Sequence, residues 1–122
     1  MANYKLEYSQ IVRRKLKSLR AYLKAEYGEE VSKKSIKKIT DAARGLQKLP
    51  NKGVQLASIF DIDTDYRYFV VSPNYLFYYI EDDTVYIAEM FNEREDFMYQ
   101  LFGIPSHSSE SEDYKTHFWW WL

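Results

Sequence analysis

Residues 66–71 read Y-R-Y-F-V-V, residues 74–80 read N-Y-L-F-Y-Y-I, and residues 84–97 read T-V-Y-I-A-E-M-F-N-E-R-E-D-F before L-F-G at 101–103. Runs this short and this rich in Val, Ile, Tyr and Phe have the composition of β-strands. The links between them, Ser72-Pro73-Asn74 and Glu81-Asp82-Asp83, consist of turn formers. Parallel strands would need a crossover of a dozen or more residues, so links this short predict an antiparallel meander over 66–71, 75–80 and 84–91. Past Arg94 the spacing of Phe97 and Leu101 predicts a short helix to Phe102 that packs back on the sheet.

Upstream, the turn Pro50-Asn51-Lys52-Gly53 leads into another apolar run, expected as a strand over 54–60, with 61–65 as its exit loop. Before that turn the period becomes helical. Val12, Leu16, Leu19, Leu23 and Tyr27 form one stripe with Arg13, Lys17, Arg20 and Lys24 opposite, Ser9 stands ready to cap the helix and Gly28 to stop it. A second helix is expected from about Ser32, with Ile36, Ile39, Ala43 and Leu46 inward, ending before Leu49-Pro50 because proline disfavours helical geometry in its predecessor. Tyr4, Leu6 and Tyr8 alternate with Lys5 and Glu7, a strand period. The fold class expected is α+β: an N-terminal strand, a two-helix hairpin packed on a mostly antiparallel meander, and a short C-terminal helix.

A chain of 122 residues that is 46% hydrophobic can bury one core, which sets the expected organisation as one domain over 1–104 and a tail over 105–122. Cysteine is absent, which removes disulfides, thiolate metal sites and a cysteine nucleophile, and agrees with a reducing compartment. No segment approaches about 18 consecutive apolar residues and the N-terminus lacks a signal pattern, so no membrane contact and a cytoplasmic location are expected. The net charge of −1 conceals an asymmetry: residues 10–53 hold 13 Lys or Arg against 4 Asp or Glu, and residues 54–104 hold 2 against 10. A basic half draws phosphates or an acidic partner, and an acidic half repels nucleic acid except where arginines focus the field.

Arg67, Tyr75, Tyr79, Arg94, Asp96, Leu101 and Phe102 fall where Arg-x-apolar-x-Val, Asn-Tyr-x-x-x-Tyr and Arg-x-Asp-Tyr-x-x-x-Leu-Phe patterns require them. Tyr22, the Leu46-x-x-Leu49-Pro50 helix end and Gly53 add weaker matches at the front. In this the chain resembles the RelE/ParE toxin superfamily of bacterial type II toxin–antitoxin systems. The resemblance implies a toxin neutralised by a cognate antitoxin protein, as a homodimer or a toxin–antitoxin hetero-oligomer. Members like RelE cleave mRNA on the ribosome, those like ParE poison DNA gyrase, and some relatives only bind antitoxin.

Metal-independent RNA cleavage drives a 2′-hydroxyl onto the adjacent phosphate, which needs a proton acceptor, cations for the crowded phosphorane and an acid for the leaving oxygen. Arg67 and Arg94 are the only cationic side chains between Val54 and Ile104, which marks them as candidates to hold phosphate at a shared sheet rim. Glu93 is the candidate base, with Glu89 and Glu95 also near Arg94, and Tyr78 is a candidate acid or a ring on which an RNA base stacks. The leading expectation is therefore a ribosome-dependent endoribonuclease without cofactor or metal, and the alternatives are a gyrase inhibitor or a silent antitoxin-binding relative. Ordinary surface pairing of Arg67 with Asp65 and of Arg94 with Asp96 is the plainer reading of the same arginines. One departure weighs against cleavage: many relatives carry histidine two residues before the second arginine, and this chain has Asn92.

Asp61-x-Asp63-x-Asp65 begins like a calcium loop, but Tyr66 replaces the required glycine and Ser72 the closing glutamate. His107 and His117 lack metal-ligand spacing. The tail joins an acidic stretch over 106–113 to Phe118-Trp119-Trp120-Trp121-Leu122. So apolar a cluster is expected to dock in a groove of its own chain, of a second copy or of a partner.

Overall fold

The computed structural model describes residues 3–60 and 62–93, together with Glu95 and Gly103. The elements run β1 (Lys5–Tyr8), α1 (Gln10–Tyr27), α2 (Glu29–Gly45), a 3-10 turn (Pro50–Lys52), β2 (Val54–Gln55), α3 (Ala57–Phe60), β3 (Arg67–Val71), β4 (Asn74–Glu81) and β5 (Thr84–Asn92). The sheet order is β1-β5-β4-β3-β2, antiparallel throughout except that β1 lies parallel to β5. The expected meander and the α+β class are both present. Of the helix expected past Arg94 to Phe102 only Glu95 is among the described residues, and the tail lies outside them.

The first helix begins where a side chain replaces the missing backbone partner. Ser9 Oγ accepts from Val12 N–H at 3.1 Å, and its hydroxyl donates to Ala88 O at 2.9 Å, so one serine caps α1 and ties it to β5. Ser9→Ala is expected to cost about 1 kcal/mol for the cap, read as a lower urea midpoint with an unchanged m-value. Gly28 alone reverses the chain between the helices. Its φ of +96° is a conformation L side chains rarely adopt, its N–H donates to Lys24 O, and its carbonyl accepts from Ser32 N–H. The second helix therefore starts at Glu29, earlier than Ser32, with Glu29 and Glu30 in its first turn beside the positive end of the dipole. Ser32 is buried at the helix crossing, where its hydroxyl donates to Arg20 O at 2.9 Å.

The helical stripes cover one face of the sheet: Val12, Leu19, Ile36, Ile39, Ala43 and Leu46 pack with Leu76, Tyr78, Val85, Ile87 and Met90. Tyr27, expected in that stripe, is 62% exposed at the end of α1. On the opposite face Leu56, Phe77 and Phe91 form a second cluster flanked by Ile62, Tyr66, Tyr68 and Tyr75. A register shift at Phe77/Tyr78 marks a bulge in the β4–β5 ladder.

One expected strand is corrected. Of residues 54–60 only Val54 and Gln55 are extended, and Ala57–Phe60 make a helical turn. Ser58 Oγ donates to Gln55 O and Ile59 N–H to Leu56 O, local bonds that replace the ladder. Leu56, fully buried, anchors the point where the chain leaves the sheet.

Because β1 pairs only with Thr84–Ile87, the far half of β5 presents a bare edge. Side chains satisfy it. The Lys15 ammonium donates to Met90 O at 2.7 Å while lying 4.3 Å from the Phe91 ring centroid, Glu89 accepts from Met90 N–H, and Glu95 accepts from Asn92 N–H. Charged groups turned onto an edge in this way oppose pairing with another chain.

Candidate functional site

Arg67 and Tyr78 are direct cross-strand partners, so their side chains leave the sheet on the same face. Both reach the 50–53 turn. The Tyr78 hydroxyl donates to Pro50 O at 2.7 Å and accepts from Gly53 N–H at 2.8 Å, and Arg67 Nη1 donates to Asn51 O at 3.1 Å and Gly53 O at 2.9 Å. Tyr78 is wholly buried. Burial pushes its phenol above the ordinary value of 10, against smaller opposing pulls from the Gly53 hydrogen bond and the Arg67 guanidinium. It is thus a protonated fastener of the turn at neutral pH.

Glu93 sits elsewhere. Alternate strands of a meander run in the same direction, so the start of β3 and the end of β5 lie at opposite ends of the sheet. The ladder shows it: Arg67 is opposite Tyr78, whereas Val71 meets Asn74 and Asn74 meets Asn92. Glu93 follows directly, exposed, with its N–H donating to Pro73 O at 2.7 Å. Four residues of strand separate the two ends, about 13 Å. Arg94 lies outside the described residues. Of the four candidates, Arg67 and Tyr78 are brought together and Glu93 is held apart from them.

Glu93 instead borders a cleft of about 470 Å³ between α1, α2 and the β3–β4 turn, a volume in the range of small-molecule and side-chain pockets. Its apolar walls are Leu19, Leu23, Ile39, Val71 and Pro73, with Tyr22 and Tyr27 edge to face at 6.5 Å. Burial is the main influence raising the Tyr22 phenol pKa, with Tyr27 and Glu26 adding to it. Lys38 and Ser35 contribute polar groups, and the cross-strand pair Asn74 and Asn92, both buried, sits at the sheet end. The cleft was not visible from sequence, because its residues come from four separate segments. Tyr22, Asn74, Asn92 and Glu93, each singled out by the sequence for other reasons, all fall on its lining.

Among the described residues no group of three or more His, Cys, Asp or Glu is placed to hold a metal ion, and no helix is long and apolar enough to cross a membrane.

Comparison with known proteins returns a family described as "ParE toxin of type II toxin-antitoxin system, parDE", matched over residues 6–97. A solved structure titled "Chromosomal ParDE TA system from P. aeruginosa" superposes with a TM-score of 0.61 at 15% identity, covering 73% of this chain and 95% of that one. At that identity the likeness is one of fold. A comparison with curated proteins gave no match.

Proposed function

We propose, because this chain belongs to the ParE toxin family of type II toxin–antitoxin systems, that it acts as an inhibitor of DNA gyrase held in check by a cognate antitoxin. The observation that carries this reading over RNA cleavage is the buried Asn74–Asn92 pair at the sheet end, with Asn92 at the position where many relatives that resemble this chain in the Arg-x-Asp-Tyr ending place histidine. Neither amide exchanges a proton near neutral pH. The phenol offered as an acid, Tyr78, is spent on the 50–53 turn and has no exposed surface. A protein that poisons its target by binding needs no proton carrier, only a shaped surface, and the cationic helices supply one for an acidic partner.

Ribosome-dependent cleavage is the second reading. It is favoured by Arg67, which keeps part of its surface exposed on the acidic half of the chain, and it needs a base other than Glu93, which stands at the opposite end of the sheet. The two readings separate in one pair of assays. Purified protein is expected to abolish supercoiling by gyrase and to leave transcripts on translating ribosomes intact. Undiminished supercoiling with cut transcripts would reverse the order of the two readings, and addition of the antitoxin is expected to restore gyrase activity.

A further inference from the structure

We propose that the cleft between α1, α2 and the β3–β4 turn is the seat of the chain's own aromatic segment, Phe118–Leu122. The inference is independent of which target the toxin has. Three observations lead to it. The first is the match of surfaces: the cleft presents leucine, valine and proline walls with two tyrosine rings, of which Tyr27 is 62% exposed. Large aromatics gain most from such walls, each burying about 150–250 Å². A volume of about 470 Å³ admits bulky rings rather than a single methyl group.

The second is position. Asn92 and Glu93 form part of the cleft wall, so the segment that carries the tail departs from the rim of the site it would fill. From Glu95 to Phe118 the chain has 23 residues. For a random-coil tether of 23 residues the root-mean-square span is about 26 Å, and tethers of that reach give effective concentrations of the order of millimolar. A contact with an intrinsic affinity of only about 100 μM would then be occupied most of the time.

Charge is the third. Residues 106–113 carry Glu110, Glu112 and Asp113 with no cation, and they would run beside α2, where Lys34 and Lys38 stand one turn apart and Lys38 borders the cleft. Pairing of opposite signs orients the approach and gains little energy on an exposed face, so the aromatic burial is what holds the segment.

The three tryptophans of the chain are Trp119, Trp120 and Trp121, so intrinsic tryptophan emission reports on this segment alone. For the full chain without antitoxin, emission shifted to shorter wavelength than that of the free tail peptide is expected, with acrylamide quenching several-fold weaker. Tyr27→Glu, at an exposed position, and Lys38→Glu are expected to move emission and quenching toward the free-peptide values. Ile59→Glu, half exposed in α3 and outside the cleft lining, should leave them unchanged, and circular dichroism establishes that each variant is folded. Free-peptide emission in the wild type, or a blue shift indifferent to both cleft variants, would overturn the proposal. A blue shift lost on dilution would overturn it as well, by assigning the cleft to the tail of a second copy.

Discussion

Gly53→Ala is expected to cost about 3 kcal/mol and to lower the melting temperature by about 10 °C. The backbone of Gly53 is ordinary, with φ −70° and ψ 162°, so conformational freedom is not what the position needs. Space is. A Cβ built there would fall on the Tyr78 hydroxyl and Cε1 and lie 2.9 Å from Tyr68 O, and neither a buried ring nor a strand carbonyl can move aside freely. The methyl group would also displace the phenol from Gly53 N–H and Pro50 O, adding broken hydrogen bonds to overpacking. Thermal denaturation with a chemical-denaturant series checks this. A loss below about 1 kcal/mol would mean that the turn adjusts and does not fix the start of the sheet.

Tyr78→Phe tests the same junction from the other side and is expected to cost about 2–3 kcal/mol. Removing one oxygen strands a buried carbonyl and a buried N–H, each carrying a desolvation penalty of about 1–3 kcal/mol, part of which relaxation recovers. The variant also separates structure from chemistry. If Tyr78 only fastens the turn, the folded fraction of the variant at low temperature retains full toxicity. If the phenol were a proton donor in RNA cleavage, activity would fall in protein that is fully folded. A pH dependence follows from the raised phenol. The folded form holds its proton more tightly than the unfolded chain, so this contribution is complete below pH 10 and is lost as pH rises beyond it. Tyr8 and Tyr66 are raised by burial too and add to the same alkaline slope. Stability of Tyr78→Phe measured above pH 10 should therefore decline less steeply than that of the wild type.

Local periodicity made the helices and the meander legible. The α1 and α2 stripes, the Ser9 cap and the three long strands all depend on neighbours within a few residues, where sequence spacing and spatial spacing agree. The second helix began three residues early because Gly28 completes the reversal alone, which no periodic signal encodes. Residues 54–60 were misread because Ser58 can bond locally, and an apolar run of that length fits either period. The site was the least legible part. The Tyr78 bonds span 25 and 28 residues, so a phenol committed to a turn looks from sequence like one available for chemistry. The start of β3, which carries Arg67, and the end of β5 lie at opposite ends of the sheet because alternate strands of a meander run the same way, whereas Arg94 lies outside the described residues.

The parallel pairing of β1 with β5 has a consequence for synthesis. Lys5–Tyr8 leaves the ribosome long before its partner, Thr84–Ile87. A nascent chain that has emerged only through α2 holds a helical hairpin with its apolar stripe uncovered and an orphan strand, and closing so long a loop is a slow, late event. Products of premature termination before residue 84 would lack that pairing entirely. Unable to complete the sheet, such fragments would go to proteolysis, and a folded domain would await synthesis of β5.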